Sequence, residues 1–145
     1  MIVIEKEYNN FVFLVGESSI DIFDYYGVDS MHGLNRFECL KKKDTNKSAY
    51  ICGWQNYHPE DKDLTRPSDK KPFLFMNSIR FQGDFRDVSS LMHECMHLSM
   101  KLHDWNVDDY EEEIISLAES LTNDLYVEHY TIENFQDKFS CKSYF

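Results

Sequence analysis

Apolar positions in the first eighty residues come in short runs. Residues 11–15, Phe-Val-Phe-Leu-Val, form one such run ending at Gly16, the pattern of a buried strand. Ile2, Val3 and Ile4 suit a hairpin partner for it across Asn9 and Asn10. β-Branched and aromatic residues over 48–57 mark a third strand, and Pro-Phe-Leu-Phe-Met-Asn over 72–77 a fourth. The polar stretches 41–47 and 58–71 read as loops.

From Asp87 the period lengthens. Val88, Leu91, Cys95, Leu98 and Leu102 recur at three- and four-residue spacing, which predicts a helix with one apolar stripe. Asp84 or Asp87 is placed to cap its N-terminus. A second helix is predicted to start near Asp108 or Asp109, with Ile114, Ala118, Leu121 and Leu125 as its stripe. Its acidic first turn suits the helix dipole. Residues 131–145 carry no clear pattern. These elements describe an α+β fold in a single domain over residues 1–145: a mostly antiparallel N-terminal sheet, then two helices.

Charge sharpens this picture. The 145 residues carry a net charge of -11, which disfavours nucleic acid as a partner because phosphate repels it. Acidity concentrates in residues 104–137, which hold 11 acidic residues and no Lys or Arg. Most simply this is a solvated acidic helix face; it would also attract a divalent cation or a basic substrate. No apolar run reaches the roughly 18 residues a membrane span needs, and no secretory leader pattern opens the sequence. Cys39, Cys52, Cys95 and Cys141 form no C-x-x-C pair and are expected to be reduced, in a cytoplasmic setting.

The first helix carries His93-Glu94-Cys95-Met96-His97, an H-E-x-x-H pattern. Residues i and i+4 share a helix face, so two imidazoles can converge on one metal ion. Zn²⁺ accepts such nitrogens, and the intervening Glu stands beside the metal rather than on it, able to move a proton to and from metal-activated water. By composition the pattern arises by chance in about one such sequence in fifty.

A catalytic zinc wants a third protein ligand. His103 lies six residues after His97, but Met100 occupies the position where a Gly would turn the chain back. The second helix offers Glu111, Glu112, Glu113 and Glu119. At 100° per residue Glu112 and Glu119 fall away from the apolar stripe, and Glu111 and Glu113 lie on its two edges. Geometry alone leaves Glu111 and Glu113 open.

H-E-x-x-H followed by a Glu-bearing helix resembles the gluzincin zinc metallopeptidases. The string Glu-Glu-Glu-Ile-Ile-Ser-Leu-Ala-Glu-Ser-Leu-Thr over 111–122 is similar to the E-x-E-A-x-x-F-A-x-x-L-L pattern of ImmA/IrrE-like metallopeptidases, in step with Glu111, Glu113, Ile114, Leu117, Ala118 and Leu121. Ile114 and Leu117 stand where that pattern has Ala and Phe. The resemblance spans residues 72–125. It implies a small zincin-like domain with His93, His97 and Glu113 as ligands of Zn²⁺ and Glu94 as the general base. It also implies a peptidase that hydrolyses a peptide bond by Glu-assisted attack of zinc-bound water. The substrate would be a peptide or protein, with residues 73–80 as an edge strand that an extended peptide could join. A Tyr or His near the metal would steady the oxyanion, with Tyr110, Tyr126, His129 and Tyr130 as candidates. A non-catalytic zincin-fold binding or regulatory protein is the alternative. His32 and His58 read as loop residues, and Trp54 and Trp105 as packing residues.

Overall fold

The computed structural model describes the backbone of residues 2–8, 10–26, 49–54 and 71–139, and the side chains of 8, 10–22, 24–25, 49–54 and 71–127. Cys39, Cys141, His32 and His58, and the predicted loops apart from Lys71, lie outside the described residues. Among the described residues four strands, β1 (Ile2–Glu7), β2 (Val12–Gly16), β3 (Tyr50–Gly53) and β4 (Phe73–Asn77), form one sheet in the order β1-β2-β4-β3. Three helices among those residues accompany it: α1 (Ile20–Tyr26), α2 (Phe85–Leu102) and α3 (Val107–Phe139).

The predicted hairpin is present, with β1 antiparallel to β2. The sheet departs from the mostly antiparallel expectation at its centre, where β2 pairs parallel with β4, Val12 opposite Phe73. Both faces of these strands are covered, which is why they read as continuous apolar runs rather than as alternation. Phe13, Val15, Tyr50, Cys52, Leu74 and Met76 pack on Leu91, Cys95 and Leu98 of α2. Val12, Leu14, Ile51, Phe73 and Phe75 pack on the other side with Ile22 and Tyr25 of α1. Helix α1 escaped the sequence reading because its seven residues are too few to display a helical period.

The expectation of an edge strand over residues 73–80 is corrected. β4 lies inside the sheet, because β3 pairs antiparallel with it on the side away from β2. It also ends at Asn77, whose side-chain oxygen accepts from the N–H groups of Ile79 and Arg80 and so turns the chain. The strand that borders α2 at the margin of the described sheet is β3.

Of the two proposed caps, Asp84 is the N-cap of α2 and accepts from the Asp87 N–H at 3.1 Å. Asp87 is buried within the first turn and accepts from Gln82 and Gly83. Gly83 has φ +74°, a left-handed conformation that admits glycine without strain. At the other end, Asp104 N–H bonds Lys101 O and Trp105 N–H bonds Met100 O, the paired bonds of a Schellman stop. Asp104 and Trp105 both sit at positive φ, 54° and 61°. The Trp105 ring offsets this strain by packing edge-on against Trp54 at 5.1 Å, with Lys101 Nζ 5.4 Å from the Trp54 ring centre. α3 then starts at Val107, close to the predicted position, with a kink at Tyr110, and continues through the unpatterned stretch to Phe139. Its predicted stripe, Ile114, Ala118, Leu121 and Leu125, is buried.

Two substitutions test this packing. A Cβ at Gly53 would run into the buried Phe73 ring, so Gly53→Ala is expected to cost about 1–3 kcal/mol by urea unfolding. Asp104→Gly relieves a left-handed Asp at the helix stop and is expected to add about 0.5–1 kcal/mol in the same measurement.

Candidate metal centre

Helix α2 presents four faces. Leu91, Cys95 and Leu98 are buried against the sheet. Ser99, one side of that stripe, is buried and donates to Ile114 O of α3 at 2.7 Å. Glu94, on the other side, is only 3 % exposed and accepts from the Cys52 N–H of β3 at 3.1 Å. The sheet register explains that donor. Asn77 N–H bonds Ala49 O, so the antiparallel alternation turns Ala49, Ile51 and Gly53 towards β4 and the Cys52 amide outwards. Glu94 therefore ties the motif helix to the outer side of β3.

His93 and His97 emerge next to Glu94 on the remaining, more open face, His93 exposed and His97 half-buried. Their Nε2 atoms are 3.1 Å apart, with ring centres at 4.7 Å. Two nitrogens bound to one tetrahedral zinc at about 2.05 Å would be about 3.3 Å apart. That separation suits two imidazole ligands on one zinc ion, and it equally suits a hydrogen bond from one ring nitrogen to the other. Among the described residues no group of three or more His, Cys, Asp and Glu side chains gathers at one point, so a third ligand is not drawn up beside the pair.

The remaining candidates fall as follows. Glu111, Glu112, Glu113 and Glu119 are all exposed on α3. Glu119, read from its wheel position as a solvent residue, borders a pocket of ≈ 390 Å³ between α2 and α3, with Met92 and Met96 opposite. His103 is the C-cap of α2; its Nδ1 lies 2.8 Å from Ser99 O and its ring meets Tyr110 at 5.6 Å. It serves the helix end. Tyr110 and Tyr126 are exposed, and the side chains of His129 and Tyr130 lie outside the described residues. Trp54 is a core residue and Trp105 packs on it, as expected.

No family model, curated protein or solved structure matches this chain. What it does must therefore be argued from its own chemistry.

Cys52 and Cys95 are buried and in no disulfide among the described residues. Burial pushes the Cys95 thiol up to about 11; the Glu94 carboxylate adds to the rise and a hydrogen bond with Thr122 opposes it. Cys95 is therefore a neutral core residue and no thiolate ligand. Burial likewise raises the Tyr50 phenol above its ordinary range, helped by Asp87 and Cys95. Sequence reasoning missed the Glu94–Cys52 bond, because nothing local in the chain says that residues 42 apart will meet.

A neutral thiol in the folded state stabilises fully below the ordinary value of 9.0 and progressively less as pH rises towards about 11. The wild-type advantage in unfolding free energy over Cys95→Ala is thus expected to be about 2 kcal/mol smaller at pH 11 than at pH 8. Urea unfolding of both proteins at the two pH values measures it.

Proposed function

We propose that this protein is a zinc-dependent peptidase of the gluzincin kind, similar to the ImmA/IrrE-like metallopeptidases. The single observation that carries the reading is the convergence of His93 and His97 Nε2 at 3.1 Å with the Glu94 carboxylate on the adjoining face of the same helix. His93 and His97 would hold the metal, and the family resemblance adds Glu113 as third ligand. A zinc ion held there would acidify a water molecule and polarise a peptide carbonyl.

The chain's own residues supply the rest. Glu94 takes the proton from the attacking water and delivers it to the departing amine. Its bond to Cys52 N–H fixes the carboxylate between the histidines and β3, so proton transfer occurs alongside the sheet margin. A peptide lying extended along β3 would bring its carbonyl to this place. The substrate is thus a peptide or protein segment, not nucleic acid. Among the described residues no helix is long and apolar enough to cross a membrane. The setting proposed is a cytoplasmic one, in which cysteines stay reduced.

The second reading is a non-catalytic zincin-fold binding or regulatory protein. It is favoured by the absence, among the described residues, of a third ligand beside the pair, and by a Glu94 that already holds the sheet.

Glu94→Gln keeps an oxygen for Cys52 N–H and is expected to fold and bind zinc 1:1 while losing at least 100-fold in peptide-library cleavage. His93→Ala is expected to lose the zinc, read by metal mass spectrometry on purified protein. Undiminished cleavage by Glu94→Gln would reject the proton-transfer role. A wild-type protein that binds zinc and cleaves no peptide in the library favours the second reading.

A further inference from the structure

Helices α2 and α3 pack side by side in opposite senses. Ser99 Oγ of α2 donates to Ile114 O of α3 at 2.7 Å. Met92 and Met96, earlier on α2, share the ≈ 390 Å³ pocket with Ala118, Glu119 and Thr122, later on α3. A groove therefore runs between the helices from that bond towards the N-terminus of α2. Its walls are two rows of the same spacing. Phe85, Met92 and Met96 stand at i, i+7 and i+11 on α2, which is one helix face, and Ile115, Thr122 and Tyr126 repeat that spacing on α3. Phe85 is 83 % exposed and Met92 54 %. The α2 row, eleven residues at 1.5 Å, is about 16 Å long, or three turns of a docked helix. Methionine walls adapt to the side chains that enter them.

Charge decides what suits this groove. Glu119 is the one charged residue lining the pocket. Glu112, at i-7 from it, extends the same edge of α3, and both are exposed. No Lys or Arg occurs over residues 104–137 to offset them. Of the two cations of α2, Lys101 is turned to the Trp54 ring, with Nζ 5.4 Å from its centre, and Arg86 lies in the first turn, beyond the pocket. An apolar floor beside uncompensated carboxylates selects a ligand that is apolar on one side and cationic on the other. A second copy of this chain, at a net charge of -11, is repelled instead.

We propose that the groove between α2 and α3 docks a basic amphipathic helix of a partner protein. The apolar side chains of that helix enter between Met92, Met96 and Ile115, and its Lys or Arg residues meet Glu119 and Glu112. Neither His93 nor His97 lines the pocket, so the docking site stands apart from the metal reading and does not depend on it.

Fluorescence anisotropy on the full-length protein tests this, with a labelled Leu/Lys peptide of helical periodicity, about four turns long, as the probe. Saturable 1:1 binding is expected, and is expected to be absent with a Leu/Glu peptide of the same pattern and with a scrambled Leu/Lys peptide. Glu119→Lys and Met92→Lys, both at exposed positions and so expected to fold as wild type, should each weaken binding roughly tenfold. Asp124→Lys makes the same change of net charge as Glu119→Lys on an exposed position about 140° round α3, and should weaken binding less than about twofold. Equal weakening by Asp124→Lys would mean that net charge alone attracts the peptide, which overturns the groove. Equal binding of the Leu/Glu or the scrambled peptide overturns the basic amphipathic partner, as does a dimer of this chain that Met92→Lys dissociates in sedimentation. A Leu/Lys peptide that does not saturate overturns the docking site outright.

Discussion

One hydrogen bond organises the molecule: the Glu94 carboxylate accepting from the Cys52 amide across the interface of α2 and β3. A carboxylate with 3 % exposure is costly to bury unless its oxygens find donors. The outward amide of β3 is such a donor, and using it sets both the height and the rotation of α2 on the sheet. With Glu94 turned to β3 and Ser99 turned to α3, the helix has one rotational setting, and in that setting His93 and His97 face outward together. The same contact that anchors the helix thus aims the imidazoles.

Much of the fold was legible because it depends on local period. The stripes of α2 and α3 were read residue by residue, since each helix packs one continuous row against a neighbour. The hairpin of β1 and β2 was read from two apolar runs about a turn. Three features were not. Helix α1 is shorter than the window in which a period shows. The parallel union of β2 and β4 depends on which strands become neighbours, and apolar runs carry no address. The interior place of β4 follows from the pairing of β3 with Phe73–Asn77, again a long-range choice.

The candidate site divides along the same line. His93, Glu94 and His97 belong to one helix, so spacing alone brought them together, and the two Nε2 atoms lie 3.1 Å apart. The third ligand depends on how a second helix is docked. A wheel drawn for α3 alone places Glu119 in solvent, because it cannot know where α2 lies. With Ser99 bonded to Ile114 O, that same position borders the pocket between the helices. Helical phase is written in the sequence; the axial offset between helices is written in tertiary contacts.

The parallel union at the centre of the sheet also bears on how the chain assembles. It joins Val12 to Phe73, segments about sixty residues apart, whereas α2 and α3 meet through a connection of only a few residues. Closing a long loop costs chain entropy before any contact repays it, so the helical hairpin is the early-forming unit and the central sheet the late one. The two imidazoles can then meet while the strand partner of Glu94 is still unpaired. Assembly in this order sets the histidine pair before it fixes the Glu94 carboxylate against β3.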